Sequence, residues 1–216
     1  MITELALLVL GIALLAYCSH RGVDHAVHLA AAFGVPTMVI GLLVVSVGTD
    51  LPEIANSIIS SAMGHGDINV GDSLGSCLAQ ISLVLGLVGI VGDNIKVNRE
   101  LILELGRGAL MALVLGIFVS RTGHISRLDA ALLIFGYILL VVAMRNYLLK
   151  DMKKQKAVIQ GRAYRHLFML FLFMAGIALG SYMVVNSVIS LSRELAIPEY
   201  LVSFFAVAIG TSLPEV

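Results

Sequence analysis

The chain has 216 residues, of which 59% are apolar and only 13% charged, against roughly 25% charged in an average soluble domain. Fourteen basic residues balance fourteen acidic ones, so no surplus of positive charge points to nucleic acid, and the long apolar runs exclude a disordered chain. Cys18 and Cys77 stand in apolar stretches without metal-ligand spacing; they read as two small buried thiols, and a disulfide-stapled module is excluded.

A hydrocarbon core about 30 Å thick takes roughly 20 apolar residues per helix. On that ruler the sequence predicts an all-α polytopic membrane protein with spans at residues 2–19, 36–63, 70–91, 101–120, 128–148, 167–191 and 200–216. The first run follows Glu4 and has no basic n-region, so it reads as a span and not as a cleaved signal. At its end His20, Asp24 and His28 recur every fourth residue, a pattern expected of an interfacial helix end, with metal binding or pH sensing as the alternative.

In the second span Ser46, Thr49, Asp50, Glu53, Ser57 and Ser60 recur at steps of three and four and form one polar stripe on an apolar helix. Pro52 has no N–H to offer the carbonyl of Gly48, so the helix is expected to kink and free backbone oxygens there. An ionised carboxylate at mid-membrane persists only if paired, protonated or facing a polar cavity. Neither residues 36–61 nor 70–91 contain a Lys or Arg to pair with Glu53. A bound cation or a proton must therefore offset its charge, and carboxylates with freed carbonyls are ligands suited to Ca²⁺. No His/Cys cluster there suggests zinc or copper.

The third span carries a second stripe, Asp72, Ser73, Ser76 and Gln80, while Gly71, Gly75 and Gly86 allow another helix to approach. Ser76 and Gln80 could complete a cation shell or simply bond between helices. Gly71-Asp72-Ser73-Leu74-Gly75 also fits the G-x-S-x-G hydrolase elbow, but a loop and an apolar helix flank it, with no preceding strand and no histidine within an apolar span nearby. Catalysis at Ser73 is therefore set aside.

Between the fifth and sixth spans lie Lys150, Lys153, Lys154, Lys156, Arg162 and Arg165 against one acid, Asp151. The positive-inside rule places this segment in the cytoplasm and the N-terminus outside, although Arg121 and Arg127 run against it. The Lys150–Lys156 cluster can touch anionic lipid, but a topogenic role suffices. The segment divides the chain into 1–149, a linker 150–166, and 167–216. Residues 33–54 align without a gap to 195–216 at a constant offset of 162 residues, the separation of Thr49 from Thr211, with proline, Gly-Thr and Leu-Pro-Glu coinciding. Upstream, Gly11-Ile12-Ala13-Leu14 recurs as Gly176-Ile177-Ala178-Leu179. Each copy lies an odd number of spans from its counterpart, which predicts an inverted repeat of the kind secondary transporters use. Pro214 should free the carbonyl of Gly210 as Pro52 frees that of Gly48.

The segments GTDLPE (48–53), GDSLGSCLAQISLVLGL (71–87) and GTSLPE (210–215) resemble the first alpha repeat and the opening of the second in the calcium/cation antiporter superfamily, particularly its prokaryotic sodium/calcium exchanger branch. The resemblance covers nearly the whole chain. It implies two inverted halves of five helices, no resident cofactor, no enzymatic activity, and exchange of Ca²⁺ against Na⁺, or against H⁺ or K⁺ in sister branches, by alternating access. It implies that Glu53 and Glu215 are shared cation ligands, that Thr49 and Thr211 add backbone carbonyls, and that Ser76 and Gln80 line flanking monovalent sites. Asp50 stands where the family usually has Ser, and Gln80 where it usually has Asn. The run ending at Val216 is still apolar, so the chain reads as cut off before the partner of the third span. An alternative is a non-transporting membrane component that assembles with a complementary chain or with its own copies. The implied location is a prokaryotic inner membrane.

Overall fold

The computed structural model describes residues 2–35, 40–91, 99–150 and 163–212. Helices α1 (Ile2–Ala32), α2 (Ser46–Thr49), α3 (Leu51–Ala62), α4 (Gly66–Ala79), α5 (Leu85–Val91), α6 (Arg99–Ser120), α7 (Arg127–Lys150), α8 (Ala163–Leu195), α9 (Glu199–Val202) and α10 (Ala208–Thr211) account for most of them. π-helical turns at Ile40–Val45, Gln80–Val84 and Ser203–Val207 precede α2, α5 and α10. The described residues contain no strand. Ile2–Ala32, Gly66–Val91 and Ala163–Leu195 are long and apolar enough to cross a membrane, and Leu105–Ser120 and Glu199–Thr211 are shorter apolar helices. The protein is all-α and membrane-embedded: Leu74, Leu78, Ile81 and Phe171 are more than half exposed while Asp72 and Asn56 are wholly buried, the reverse of a water-soluble surface.

The helix ends follow local chemistry. α1 runs beyond the apolar span, through the polar stretch that carries His20, Asp24 and His28, to Ala32: no proline intervenes, and Gly22, buried inside the helix, does not end it. Gly34 adopts φ +74° and Val35 N–H reaches back to the carbonyl of Ala30 (3.0 Å), a glycine-terminated cap that satisfies the last carbonyls. Gly64, with φ +83°, ends α3 in the same way, His65 N–H donating to Ser60 O at 2.8 Å.

Two compact units compose the chain, Met1–Asp93 with Lys154–Val216, and Asn94–Lys153. In the first, α1 and α8 lie antiparallel along much of their length: Gly11 meets Val184, Gly180 meets Leu15, and Gly176 sits against Cys18. A methyl group added at Gly11 would stand 2.9 Å from Val184 Cγ2, so small residues set the close approach. Leu8, Leu15, Ile177, Val184, Val185 and Val188 form the core there, joined by Ile68, Val202 and Val207 from α4, α9 and the third π turn. In the second unit α6 and α7 pair, Leu115 packing over Gly136.

Cys18 is buried as expected, but Cys77 is exposed, because it shares the outward face of α4 with Leu74 and Leu78. Gly71 and Gly75 do admit a neighbour: Tyr200, Ser203, Phe204 and Ala208 press against them. Gly86 has no described atom within 4 Å of the position a Cβ would take. The π turn at Gln80–Val84 intervenes between it and the other two, and a wide turn rotates the face that follows it.

Candidate cation site

Both copies of the Gly-Thr segment break their helix, and they break it alike. A π turn leads into a four-residue helical turn, Ser46–Thr49 in one case and Ala208–Thr211 in the other. Each ends on a residue just outside ideal helix geometry, Asp50 (φ −79°, ψ 0°) and Ser212 (φ −80°, ψ −6°). The 162-residue offset of the sequence therefore recurs in the backbone. Pro52 occupies the first turn of α3, where its missing N–H costs nothing. π turns and proline breaks both leave carbonyls outside the regular ladder.

The glycines of the two segments are held by contact with α1. A Cβ on Gly48 would stand 2.5 Å from Val23 Cγ2, and one on Gly210 2.7 Å from Ile12 Cγ2. The carbonyl of Gly48 is released by the proline yet not left bare, since Ser19 Oγ donates to it at 3.0 Å. A buried carbonyl needs a partner, and one lone pair remains. Thr49 is half-buried, its hydroxyl turned back to Ser46 O (3.0 Å), and Asp50 beside it is half-buried too.

Below the break, Glu53 is only 9% exposed. Ser76 Oγ donates to its Oε1 at 3.3 Å and lies 3.4 Å from Thr211 Oγ1. The other oxygen, Oε2, is buried with no hydrogen-bond partner among the described residues. Neither does Ser212 Oγ, buried at the second break, have one. Asp72 is wholly buried: its Oδ2 accepts from Asn56 Nδ2 at 3.0 Å and its Oδ1 from Thr211 Oγ1 at 3.5 Å. Asn56 Oδ1 in turn accepts from Ser181 Oγ of α8 at 2.6 Å. Oxygens from α3, α4 and α10 thus converge in an apolar surround, with no Lys or Arg paired to Glu53 or Asp72 among the described residues.

Of the residues picked out in the sequence, Glu53, Ser76 and Thr211 meet. Gln80 stands one turn beyond Ser76, at the entry to the second π turn, and is half-buried. Gly210 is packed on α1 behind Thr211. Glu215 and Pro214, like the linker at 151–162, lie outside the described residues. Asn56, Ser181 and Ser212 were not singled out. Asn56 is three residues from Glu53 and so on its face, and Ser212 is the repeat counterpart of Asp50; these signals were available. Ser181 had none, because its partner is 125 residues away.

Elsewhere, Ser73 is exposed and its hydroxyl donates to Asn69 Oδ1 (3.1 Å), not to an imidazole. The histidines of α1 associate differently from the i, i+4, i+8 pattern: His25 Nδ1 lies 2.9 Å from His166 Nδ1, with the His28 and His166 ring centroids 5.1 Å apart. No group of three or more His, Cys, Asp or Glu among the described residues has the geometry to hold a metal ion.

The oxygen spacing suits a hard ion. Two oxygens 3.3–3.4 Å apart, each about 2.4 Å from a common ion, subtend about 90°, the cis angle of a six-coordinate shell. A bundle of membrane helices, two of them broken beside a buried carboxylate with no Lys or Arg partner among the described residues, is the arrangement an ion-translocating membrane protein needs. The family described as sodium/calcium exchanger protein matches residues 3–145 and 165–216, and the chain belongs to that family. It is 34% identical over its whole length to the inner membrane protein YrbG of Escherichia coli, covering 69% of that protein. It is 30% identical to the sodium/calcium exchanger MaX1 of Methanosarcina acetivorans over 56% of this chain and 35% of that protein. A solved structure of the sodium-calcium exchanger NCX_Mj superposes with a TM-score of 0.58 at 30% identity, over 99% of this chain and 70% of that one.

Proposed function

We propose that the protein exchanges Ca²⁺ for Na⁺ by alternating access, with Glu53 as the central ligand and Glu215, from the inverted second repeat, as its counterpart. The observation that carries this reading is Glu53 Oε2, a buried acceptor with no donor among the described residues. An orphaned carboxylate oxygen costs more than an ordinary hydrogen bond returns, and a transported cation supplies what is missing. Ser76 Oγ and Thr211 Oγ1 lie beside Glu53 Oε1, directly or through one another, and complete an oxygen-only donor set that favours Ca²⁺ and Na⁺ over zinc or copper. The second lone pair of Gly48 O and the carbonyls of Thr49, Thr211 and Gly210 extend the ladder of oxygens along the breaks, and Gln80 and Asp50 flank it.

One Ca²⁺ or several Na⁺ neutralise the same carboxylates, so the occupied forms can pass between outward and inward openings while a partly empty site, still charged, cannot. In this reading residues 1–149 form the first repeat, 150–166 a cytoplasmic linker and 167–216 the opening of the second. The N-terminus lies outside a prokaryotic inner membrane. The twin breaks at Asp50 and Ser212 support the duplication.

The test is uptake of radioactive Ca²⁺ into proteoliposomes containing the full-length protein, under imposed Na⁺, K⁺ and pH gradients. Na⁺-driven uptake, abolished in Glu53→Gln, is the expected result. Uptake retained by Glu53→Gln refutes the site, and uptake driven by a pH or K⁺ gradient alone replaces Na⁺ as the coupling ion.

A further inference from the structure

The mechanism above leaves one wholly buried acid without a task. Asp72 has no cationic partner among the described residues, and both of its oxygens meet donors: the Asn56 amide at 3.0 Å and the Thr211 hydroxyl at 3.5 Å. In both contacts Asp72 is the acceptor. The partner set is that of a carboxylate, which only accepts.

The position of this charge matters more than its hydrogen bonds. Thr211 Oγ1 is shared: it contacts Asp72 Oδ1 on one side and Ser76 Oγ, at 3.4 Å, on the other. With its single proton directed to Asp72 Oδ1, its lone pairs are available toward Ser76 and Glu53. An ion about 2.4 Å from Thr211 Oγ1 would lie no more than about 6 Å from Asp72 Oδ1. At that range, inside an apolar bundle, a full charge acts on an ion it does not touch, and it acts twice as strongly on a divalent ion as on a monovalent one.

We propose that Asp72 is a specificity-determining residue, a second carboxylate one hydroxyl behind the cation, that biases the site toward divalent over monovalent ions. The inference rests on the cation site centred on Glu53. It gives the Asn56–Ser181 pair a role as well: by donating to Asp72, Asn56 holds the charge without neutralising it, while Ser181 pairs with the other end of the amide.

Replacement by Asn isolates the charge. An amide at position 72 can donate to a turned Asn56 and still accept from Thr211, so each hydrogen bond finds a partner and the helices need not move. The experiment measures half-saturating Ca²⁺ and half-saturating Na⁺ for exchange in proteoliposomes with wild type, Asp72→Asn, Asp72→Ser and Glu53→Gln. Thermal unfolding in detergent identifies which variants fold, and Asp72→Asn and Asp72→Ser, different in shape but alike in charge, back each other up. The expected result is a rise in the Ca²⁺ constant of at least tenfold with about a threefold rise for Na⁺, the square-root relation that halving the ion's charge demands. Equal rises for both ions, or an unchanged Ca²⁺/Na⁺ ratio in a folded variant, overturns the role of Asp72 while loss of uptake in Glu53→Gln leaves the central site standing. Retained uptake in Glu53→Gln overturns both.

Discussion

Gly75→Ala is the most demanding test of the packing that assembles the site. A methyl group at this position would stand 2.6 Å from both Ala208 Cβ and Phe204 O, and 3.1 Å from Phe204 Cα. None of these atoms is the end of a flexible side chain. Ordinary contact begins near 3.4 Å, so α10 must withdraw from α4 by about 0.8 Å or more, at an overpacking cost of about 1–3 kcal/mol. Thr211 lies one helical turn past Ala208 on the same segment and moves with it. The 3.4 Å separation of Ser76 and Thr211 then opens beyond hydrogen-bond range, and the displacement exceeds the roughly 0.3 Å width of the Ca²⁺–oxygen distance window. The Ca²⁺ concentration for half-maximal uptake into proteoliposomes should rise at least tenfold, with a lower unfolding temperature. Gly86→Ala, on the same span but with no described atom within 4 Å of the added methyl group, is the matched control and should leave both unchanged. An unaltered half-saturation point in Gly75→Ala, with Gly86→Ala behaving normally, would refute the claim that contact between α4 and α10 holds the ligands.

Two further outcomes concern the supports of the site. Ser19→Ala strips the carbonyl of Gly48 of its one side-chain donor among the described residues and should destabilise the protein by about 1–3 kcal/mol, read as a lower midpoint in thermal or denaturant unfolding in detergent; an unchanged midpoint would mean that another donor replaces it. His65 Nδ1 contacts both carboxylate oxygens of Glu199, at 2.9 and 2.8 Å, and closes the turn before α4 onto the start of α9. A double-mutant cycle with His65→Ala and Glu199→Gln should show a coupling of about 0.5–1 kcal/mol, and strict additivity would show that the pair contributes nothing.

Local signals and long-range ones divide cleanly in this molecule. The first helix break was legible because its cause is covalent: Pro52 has no N–H wherever it is placed, and the Gly-Thr pair 162 residues later leads into the same backbone turn at Ser212 as at Asp50. Burial of Glu53 was legible because its stripe recurs at helical steps on an otherwise apolar segment, and a helix converts spacing into a face without help from the rest of the chain. The end of α1 was not legible from hydropathy, which falls after residue 19 while the helix carries His20, Asp24 and His28 on its interfacial end and continues until Gly34 supplies a turn.

Composition alone established a membrane protein, and periodicity with proline chemistry established broken helices carrying a buried acid; each follows from covalent structure and the cost of charge in hydrocarbon. Only the tertiary structure decided that Asp72 stands behind Thr211, 139 residues away, and that Ser181 reaches Asn56 across 125. It also decided that Ser19 occupies the oxygen which Pro52 releases, and that His25 meets His166 and not its neighbours on α1. Such pairings depend on which helices pack together, and apolar helices are too alike in sequence to announce their partners. The choice is made by where glycines allow backbones to approach and where buried polar groups must find one another.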